Sequence, residues 1–447
     1  METSEAYLER KSEETAILNA CLTTPLPLPR PASPAEVIRQ KFQMSSALKA
    51  EYAIQDWALT ETAWAHPGRM RAGPFEFAYD YQRADLEVRG PSFYAFEHPE
   101  LHDTVYTASG MAALAALLFA SGKPMPSADI LVLPGSYGET LELIETHVRY
   151  LRTVQMKSPA EDLAACGEQS RILLLDTGTP SHGIEAVLRC ASPVLDLVVF
   201  DTTCFSSGSG RIGRVLRWAH RYRLPVVLVR SHTKLDSLGL EYGRLGSAVF
   251  IGANEPVSTP ARELLRELAS ETRRAVRLFG GAALPAHFAP FVGKNRYRAL
   301  TDGRVAAILR NGRRTARYFA GALASRSPPL HFAHGLYLTL VPQRPIDEDR
   351  ARRLAAELSA DLARKGMPLR HAGSFGFDFG ATEWFHDTAS DRYLVRIAVP
   401  DLPTLLWDEV AKAIAAWWLA RERMSLTLDR SRTPKAGRCG ARRLQHV

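Results

Sequence analysis

Cysteine is scarce in this chain: five in 447 residues, an odd number scattered at Cys21, Cys166, Cys190, Cys204 and Cys439. That usage excludes a disulfide framework and fits a reducing, cytoplasmic setting. Long apolar runs are missing too, so no segment is expected to span a membrane. The opening residues, Met1-Glu-Thr-Ser-Glu, are acidic and lack an apolar core, which argues against a signal peptide. His331 and His334 have no third ligand at metal spacing nearby, so no metal site is expected. Charge of one sign is concentrated at one end. Of the net +8, residues 421–447 carry +6, with eight Lys/Arg against two acids. The body is therefore nearly neutral. No nucleic-acid-binding motif accompanies the basic end, so nucleic acid is not an expected partner. Residues 426–447 read as a basic, disordered tail.

An apolar content of 46% with 23% charged residues is that of an ordinary globular protein with a substantial core. Residues 1–60 hold a proline-rich break, Pro25 to Pro34, between two helical patterns, and read as an N-terminal arm. From about 100 to 255 short apolar strands alternate with helices, as at 111–121, 130–133, 139–151, 172–176, 195–201, 211–223, 226–230 and 248–251. Strands spaced by single helices imply an α/β fold with a mostly parallel sheet covered on both faces. Helical patterns at 260–279 and 300–324 follow, then strands at 336–341 and 394–399 and helices at 347–365 and 408–423. The expected organisation is a large domain over 61–300 and a smaller C-terminal α+β domain over 301–425.

The most informative stretch is Val226-Val-Leu-Val-Arg230-Ser231-His232-Thr233-Lys234. Ligands of open α/β sheets sit beyond the carboxyl ends of such strands. A lysine there, beside two hydroxyls able to hold an oxyanion, suits an imine-forming amine next to an anchored phosphate. Taken alone, an ordinary polar turn with a solvated lysine accounts for it better. Four further segments point the same way. Thr107-Ala108-Ser109-Gly110-Met111 is a small-residue turn opening a helix, where exposed amides favour a phosphate. Tyr137 follows a strand end, where its ring can stack on a planar group. Asp201 ends the apolar run Leu197-Val-Val-Phe, and a buried acid needs a partner. Arg396 lies inside the apolar strand Tyr393–Pro400, and its planar fork suits a carboxylate, with a structural salt bridge as the alternative.

Their order and wording resemble the fold-type I enzymes dependent on pyridoxal 5'-phosphate (PLP), and among them the Cys/Met-metabolism family of cystathionine synthases and lyases. Ser109-Gly-Met-Ala-Ala is similar to that family's S-G-M-A-A, Tyr137-Gly-Glu-Thr140 to Y-G-x-T, and Asp201-Thr-Thr-Cys-Phe205 to D-N-T-F. Ser231-His-Thr-Lys234 resembles S-x-T-K, Ser374-Phe-Gly376 resembles S-L-G, and Leu394-Val-Arg396-Ile-Ala-Val resembles L-V-R-L-S-V. The likeness covers about residues 100–425. It implies that Lys234 bonds to the cofactor and moves the substrate's α-proton, with Asp201 on the pyridine nitrogen and Tyr137 on the ring. It further implies phosphate binding by Ser109, Gly110, Met111, Ser231 and Thr233, and substrate-carboxylate binding by Arg396 with Ser374. A lyase or transferase of amino-acid metabolism, working as a homodimer or homotetramer, is the implied protein. Elimination or replacement at Cβ or Cγ is the expected reaction, with transamination as the alternative.

Three departures accompany the likeness. The family's E-[ST]-P-x-N-P stands here as Asp176-Thr-Gly-Thr-Pro-Ser181, without the asparagine. The Y-x-R-x-x-N-P loop has only Tyr79-Asp-Tyr-Gln-Arg83 as a candidate. An extra helix separates Asp201 from Lys234, a layout more like aminotransferases. Gly208-Ser-Gly210-Arg-Ile-Gly213 also spells a dinucleotide fingerprint, with Arg230 placed to face a 2'-phosphate, a distant alternative that implies NAD(P). Its first glycine comes seven residues after Asp201, too late for the tight turn the fingerprint requires. Trp417-Trp418 reads as core packing.

Overall fold

The computed structural model describes residues 2–53, 70–78, 87–176, 178–179, 181–323, 335–387 and 390–432. In chain order the elements are α1 (Ser4–Asn19), α2 (Pro34–Glu51), β1 (Met70–Ala72), β2 (Phe75–Ala78), β3 (Glu87–Arg89), β4 (Asp103–Thr107) and α3 (Gly110–Ser121). Next come β5 (Ala128–Val132), α4 (Gly138–His147), β6 (Leu151–Gln155), α5 (Pro159–Ala164), β7 (Ser170–Leu175), α6 (Ser181–Leu188), β8 (Leu197–Asp201) and α7 (Gly210–Arg221). The chain continues through β9 (Val226–Ser231), β10 (Gly246–Phe250), α8 (Pro260–Phe279), α9 (Tyr297–Ala322) and β11 (Tyr337–Leu340). It closes with α10 (Glu348–Arg364), β12 (Leu369–His371), β13 (Gly380–Asp387), β14 (Arg392–Ala398) and α11 (Thr404–Arg432).

Seven strands form the main sheet in the order β4-β10-β9-β8-β7-β5-β6, parallel except for β10, which runs against both its neighbours. This is the mostly parallel α/β sheet expected. Its strands are apolar along their length because both faces are covered. Alternate residues divide cleanly: Ile172, Leu174, Val199, Val227 and Val229 pack with α3 and α8, while Leu173, Leu175, Val198, Phe200 and Leu228 pack on the opposite side. A second sheet, β11-β14-β13-β12, shares a core with α10 and α11 built around Trp407 and Trp418. Trp418 is therefore core packing, as expected. The polar strand β6 was not expected; it starts at Leu151, where the helix expected over 139–151 would end, and α4 closes earlier, at His147. Helix α11 continues to Arg432, through the first residues of the expected disordered tail.

The N-terminal helices bridge two cores. Tyr7, Val37 and Ile38 enter the core of the small sheet, whereas Leu18, Met44 and Leu48 enter another beneath β1, β2 and residues 283–300. Between these apolar ends lies a fully buried cluster of charges. Lys11 Nζ reaches Asp401 Oδ2 at 2.7 Å and also binds Asp378 and Glu14. Lys41 Nζ donates to Glu14 Oε2 at 2.7 Å and to the Leu238 carbonyl at 2.5 Å. Arg304 donates to Glu14 at 3.1 Å, to Asp378 at 2.7 Å and to the Gly376 carbonyl at 2.8 Å. Burial alone would raise the Asp378 carboxyl, but Arg304, Lys11 and Lys41 outweigh it and hold it well below the usual carboxylate range. Removing one partner of such a pair strands the others. Lys11→Met should therefore destabilise the protein by about 3–5 kcal/mol in urea denaturation. Breaking the exposed Lys412–Glu409 pair by Lys412→Ala should cost less than about 0.5 kcal/mol.

Candidate active site

Parallel pairing brings the carboxyl ends of β7, β8 and β9 to one edge of the sheet, and Asp176, Asp201 and Ser231 stand there. The β10 register places Gly246 opposite both Thr107 and Ser231, so the start of α3 meets the end of β9. Ser109 caps α3, accepting from the Ala112 amide at 3.0 Å, and Met111 turns toward the core. Gly110 lies against Ser231; a methyl group there would stand 3.0 Å from Ser231 Cβ. Ser231 Oγ and Thr233 Oγ1 are 3.0 Å apart. Two hydroxyls and a helix N-terminus thus share one small volume, a donor set suited to a phosphate.

Lys234 follows at the start of a short 3-10 turn, and its Nζ donates to Ser374 Oγ at 2.6 Å. The loop carrying Ser374 is laid directly on the lysine backbone. Gly376 has φ +90°, and a Cβ there would stand 2.7 Å from the Lys234 carbonyl, so only glycine fits. Arg304 holds that loop from behind through the Gly376 carbonyl.

From these residues a circuit runs on, made of hydrogen bonds and, at the Tyr137 side chain and between Asp176 and Asp201, of charge alone. Beyond Ser374 and Gly373 stands Glu383, whose Oε1 accepts from Arg396 Nε at 2.7 Å. Tyr137 lies within electrostatic reach of both Arg396 and Glu383. The Tyr137 amide donates to Asp176 Oδ2 at 2.9 Å, and Asp176 feels the charge of Asp201. Asp201 Oδ1 accepts from the Thr203 amide at 2.8 Å, and Thr203 Oγ1 accepts from the Ser231 amide at 3.0 Å. The structure therefore brings together Ser109, Gly110, Met111, Tyr137, Asp201, Ser231, Thr233, Lys234, Ser374 and Arg396. Burial pushes the Asp201 carboxyl up, partly opposed by Thr203 and Arg230. Burial also raises the Tyr137 phenol, which keeps it protonated at neutral pH.

Asp176, Thr203 and Glu383 belong to the circuit but were not singled out from sequence as site residues. Asp176 marks the place where the family segment departs, and it anchors Tyr137 and the Gly178 amide at 2.8 Å. Thr203 lies within the motif after Asp201. Arg396 is ion-paired with Glu383 through its Nε. Tyr79-Asp-Tyr-Gln-Arg83 and the His331/His334 pair lie outside the described residues. Among the described residues there is no group of three potential metal ligands. No described helix is long and apolar enough to cross a membrane.

The dinucleotide alternative does not survive the geometry. Helix α7 begins at Gly210, well past the end of β8, and nothing stands within 4 Å of a Cβ placed at Gly210. Arg230, expected to face a 2'-phosphate, is fully buried instead. Its guanidinium is held by both oxygens of Asp236 at 2.7 Å and by the Thr202 carbonyl at 2.6 Å.

No family model matches the sequence, and no curated protein matches it. Among solved structures, it is similar to an O-acetylhomoserine (thiol)-lyase from Campylobacter jejuni holding N'-pyridoxyl-lysine-5'-monophosphate. The TM-score is 0.46 and the identity 13%, over 70% of this chain and 81% of that one. It is also similar to cystathionine gamma synthase from Xanthomonas oryzae, in a complex with cystathionine and in another with aminoacrylate and cysteine. Both give a TM-score of 0.47 and 17% identity, over 84% of this chain and 98% of the other.

Burial raises the Asp176 carboxyl to about 6, aided by the charge of Asp201 and opposed by the Tyr137 and Gly178 amides. The folded protein holds this proton to higher pH than the unfolded chain does. Its stabilising contribution is complete below about pH 4 and is lost as the pH rises through about 6. Asp176→Asn should remove that loss. The gap in unfolding free energy between wild type and variant should move by about 3 kcal/mol between about pH 4 and pH 7. Urea denaturation across that range measures it.

Proposed function

We propose that this protein is a fold-type I, PLP-dependent enzyme acting on an amino acid, catalysing elimination or replacement at Cβ or Cγ. The observation that carries the proposal is the gathering, at the carboxyl ends of β8 and β9, of the Asp201 carboxylate and the Ser231/Thr233 hydroxyls at the start of α3, with Lys234 next in the chain and its amine held by Ser374. The residues fit the group chemically: an amine for its aldehyde, hydroxyls and helix amides for its phosphate, and a buried carboxylate for its ring nitrogen. Bound there, PLP supplies an electron sink for the charge left at Cα when a proton is removed.

The chain's own groups do the rest. Lys234 Nζ takes the α-proton and can return it, and Ser374 Oγ, 2.6 Å away, sets the direction of the amine. Asp201, oriented by the Thr203 amide and buried, would pair with the ring nitrogen and favour its protonated form. Tyr137 stays protonated and offers a ring face fixed through its amide to Asp176. Arg396 holds the substrate carboxylate, its plane fixed between the Tyr337 and Phe385 rings at 4.6 and 4.7 Å. Assembly as a homodimer or larger is part of the proposal, by analogy with the fold.

The purified protein should show a visible absorbance band that borohydride removes and Lys234→Ala abolishes. A colourless protein after incubation with PLP would overturn the proposal. Asp201→Asn should keep the cofactor yet lose at least about 100-fold in turnover. Release of a thiol or alcohol with 2-oxo acid marks elimination, whereas stoichiometric pyridoxamine phosphate would replace it with transamination.

A further inference from the structure

Arg396 meets a carboxylate of its own chain. Strand pairing sets Glu383 directly opposite Arg396, and Nε and Oε1 are 2.7 Å apart. The two side chains are 15% and 13% exposed, so the pair lies at a lip and not in sealed core. The second Glu383 oxygen faces the loop before Ser374; a methyl group at Gly373 would stand 3.1 Å from Oε2. Ser374 in turn holds Lys234 Nζ. The Glu383 carboxylate therefore stands between the guanidinium and the loop whose Ser374 holds the amine.

We propose that Glu383 is a specificity-determining residue, which makes the site select amino acids with a cationic side chain and reject those with a second carboxylate. The inference rests on the amino-acid reading of the site given above. Arg396 and Glu383 together carry no net charge, so a substrate carboxylate brought to Arg396 leaves the lip one charge negative. A side-chain ammonium donating to Glu383 restores neutrality. A side-chain carboxylate instead places three carboxylates around one guanidinium, which like-charge repulsion disfavours.

The test compares L-lysine, L-norleucine and L-glutamate, which differ in charge at similar size. Affinities come from the shift of the visible band on titration, and independently from calorimetry on the cofactor-free protein. L-lysine should bind about tenfold tighter than L-norleucine, the worth of one charged hydrogen bond. Glu383→Gln should erase that preference and admit L-glutamate, whereas Glu383→Asp should restore part of it. Equal binding of L-lysine and L-norleucine by the wild type overturns the proposal, whether or not the variants fold. So does an unchanged ratio in Glu383→Gln. A coloured protein without the preference sinks this inference alone. A colourless one that keeps it sinks the cofactor proposal alone.

Discussion

Six buried ionisable groups, Lys11, Glu14, Lys41, Arg304, Asp378 and Asp401, hold the architecture of the site from behind. Burying so many charges is costly, and such a cluster contributes little to net stability compared with apolar packing of the same volume. What it does is impose geometry, because each group is satisfied only if all the elements meet in one arrangement. Lys11 and Glu14 come from α1, Lys41 from α2 and Arg304 from α9, while Asp378 and Asp401 flank β13 and β14. Two backbone carbonyls are drawn in as well, Leu238 by Lys41 and Gly376 by Arg304. Those carbonyls belong to the two loops that carry Lys234 and Ser374. A chain that failed to seat its N-terminal helices would leave buried charge unpaired at the point where those loops meet.

The parallel sheet supplies the other half of the constraint. Strands paired in parallel end together, so Asp176, Asp201 and Ser231 reach one edge without long side chains. Alternation along β9 sends Ser231 toward α3 and Arg230 to the opposite face, where Asp236 neutralises it. The acids and hydroxyls of the site are short side chains at or just past rigid strand ends. The two long cations are fixed by their neighbours, Lys234 by Ser374 and Arg396 by two aromatic rings and an ion pair.

The elements that were readable in the sequence were those whose signals are local. Residues 260–279 show proline inside the start and glycine just past the end, and α8 occupies that span, with the Thr259 side chain capping it and Gly280 at φ 61°. The apolar strands β7, β8 and β9 were equally plain. Strand β6 was missed because an edge strand with Arg152, Thr153 and Gln155 shows no apolar alternation and follows directly on a helical run. Glu383 escaped because its meaning lies in cross-strand register with Arg396, which no local pattern prints. The buried cluster did leave a trace: Tyr7, Lys11, Glu14 and Leu18 fall on one stripe of α1, all four buried. Charges at core positions of an amphipathic stripe signal partners elsewhere, although not which ones.

One buried network shows why geometry alone does not make a catalytic site. Ser247 Oγ lies 2.8 Å from His232 Nε2, and His232 Nδ1 lies 2.7 Å from Asp236 Oδ2, the spacing of a serine nucleophile with its base and orienting acid. Both Ser247 and His232 line a cavity of about 960 Å³. Acyl transfer also needs donors for the developing oxyanion, and β10 has none to give, being paired along its length with β4 on one side and β9 on the other. Asp236 is committed as well. Arg230 and His232 outweigh its burial and hold it to about 2, with Arg230 gripping both of its oxygens. Burial keeps His232 neutral, so it donates from Nδ1 to Asp236 and accepts at Nε2 from the Ser247 hydroxyl. Every donor and acceptor on its ring is satisfied internally. The network thus ties residues 230–236 to the sheet behind them, and leaves Ser231 and Thr233 on the other side, with Lys234 following in the turn. His232, sitting between the two hydroxyl residues of the motif, is the peg on which that loop hangs.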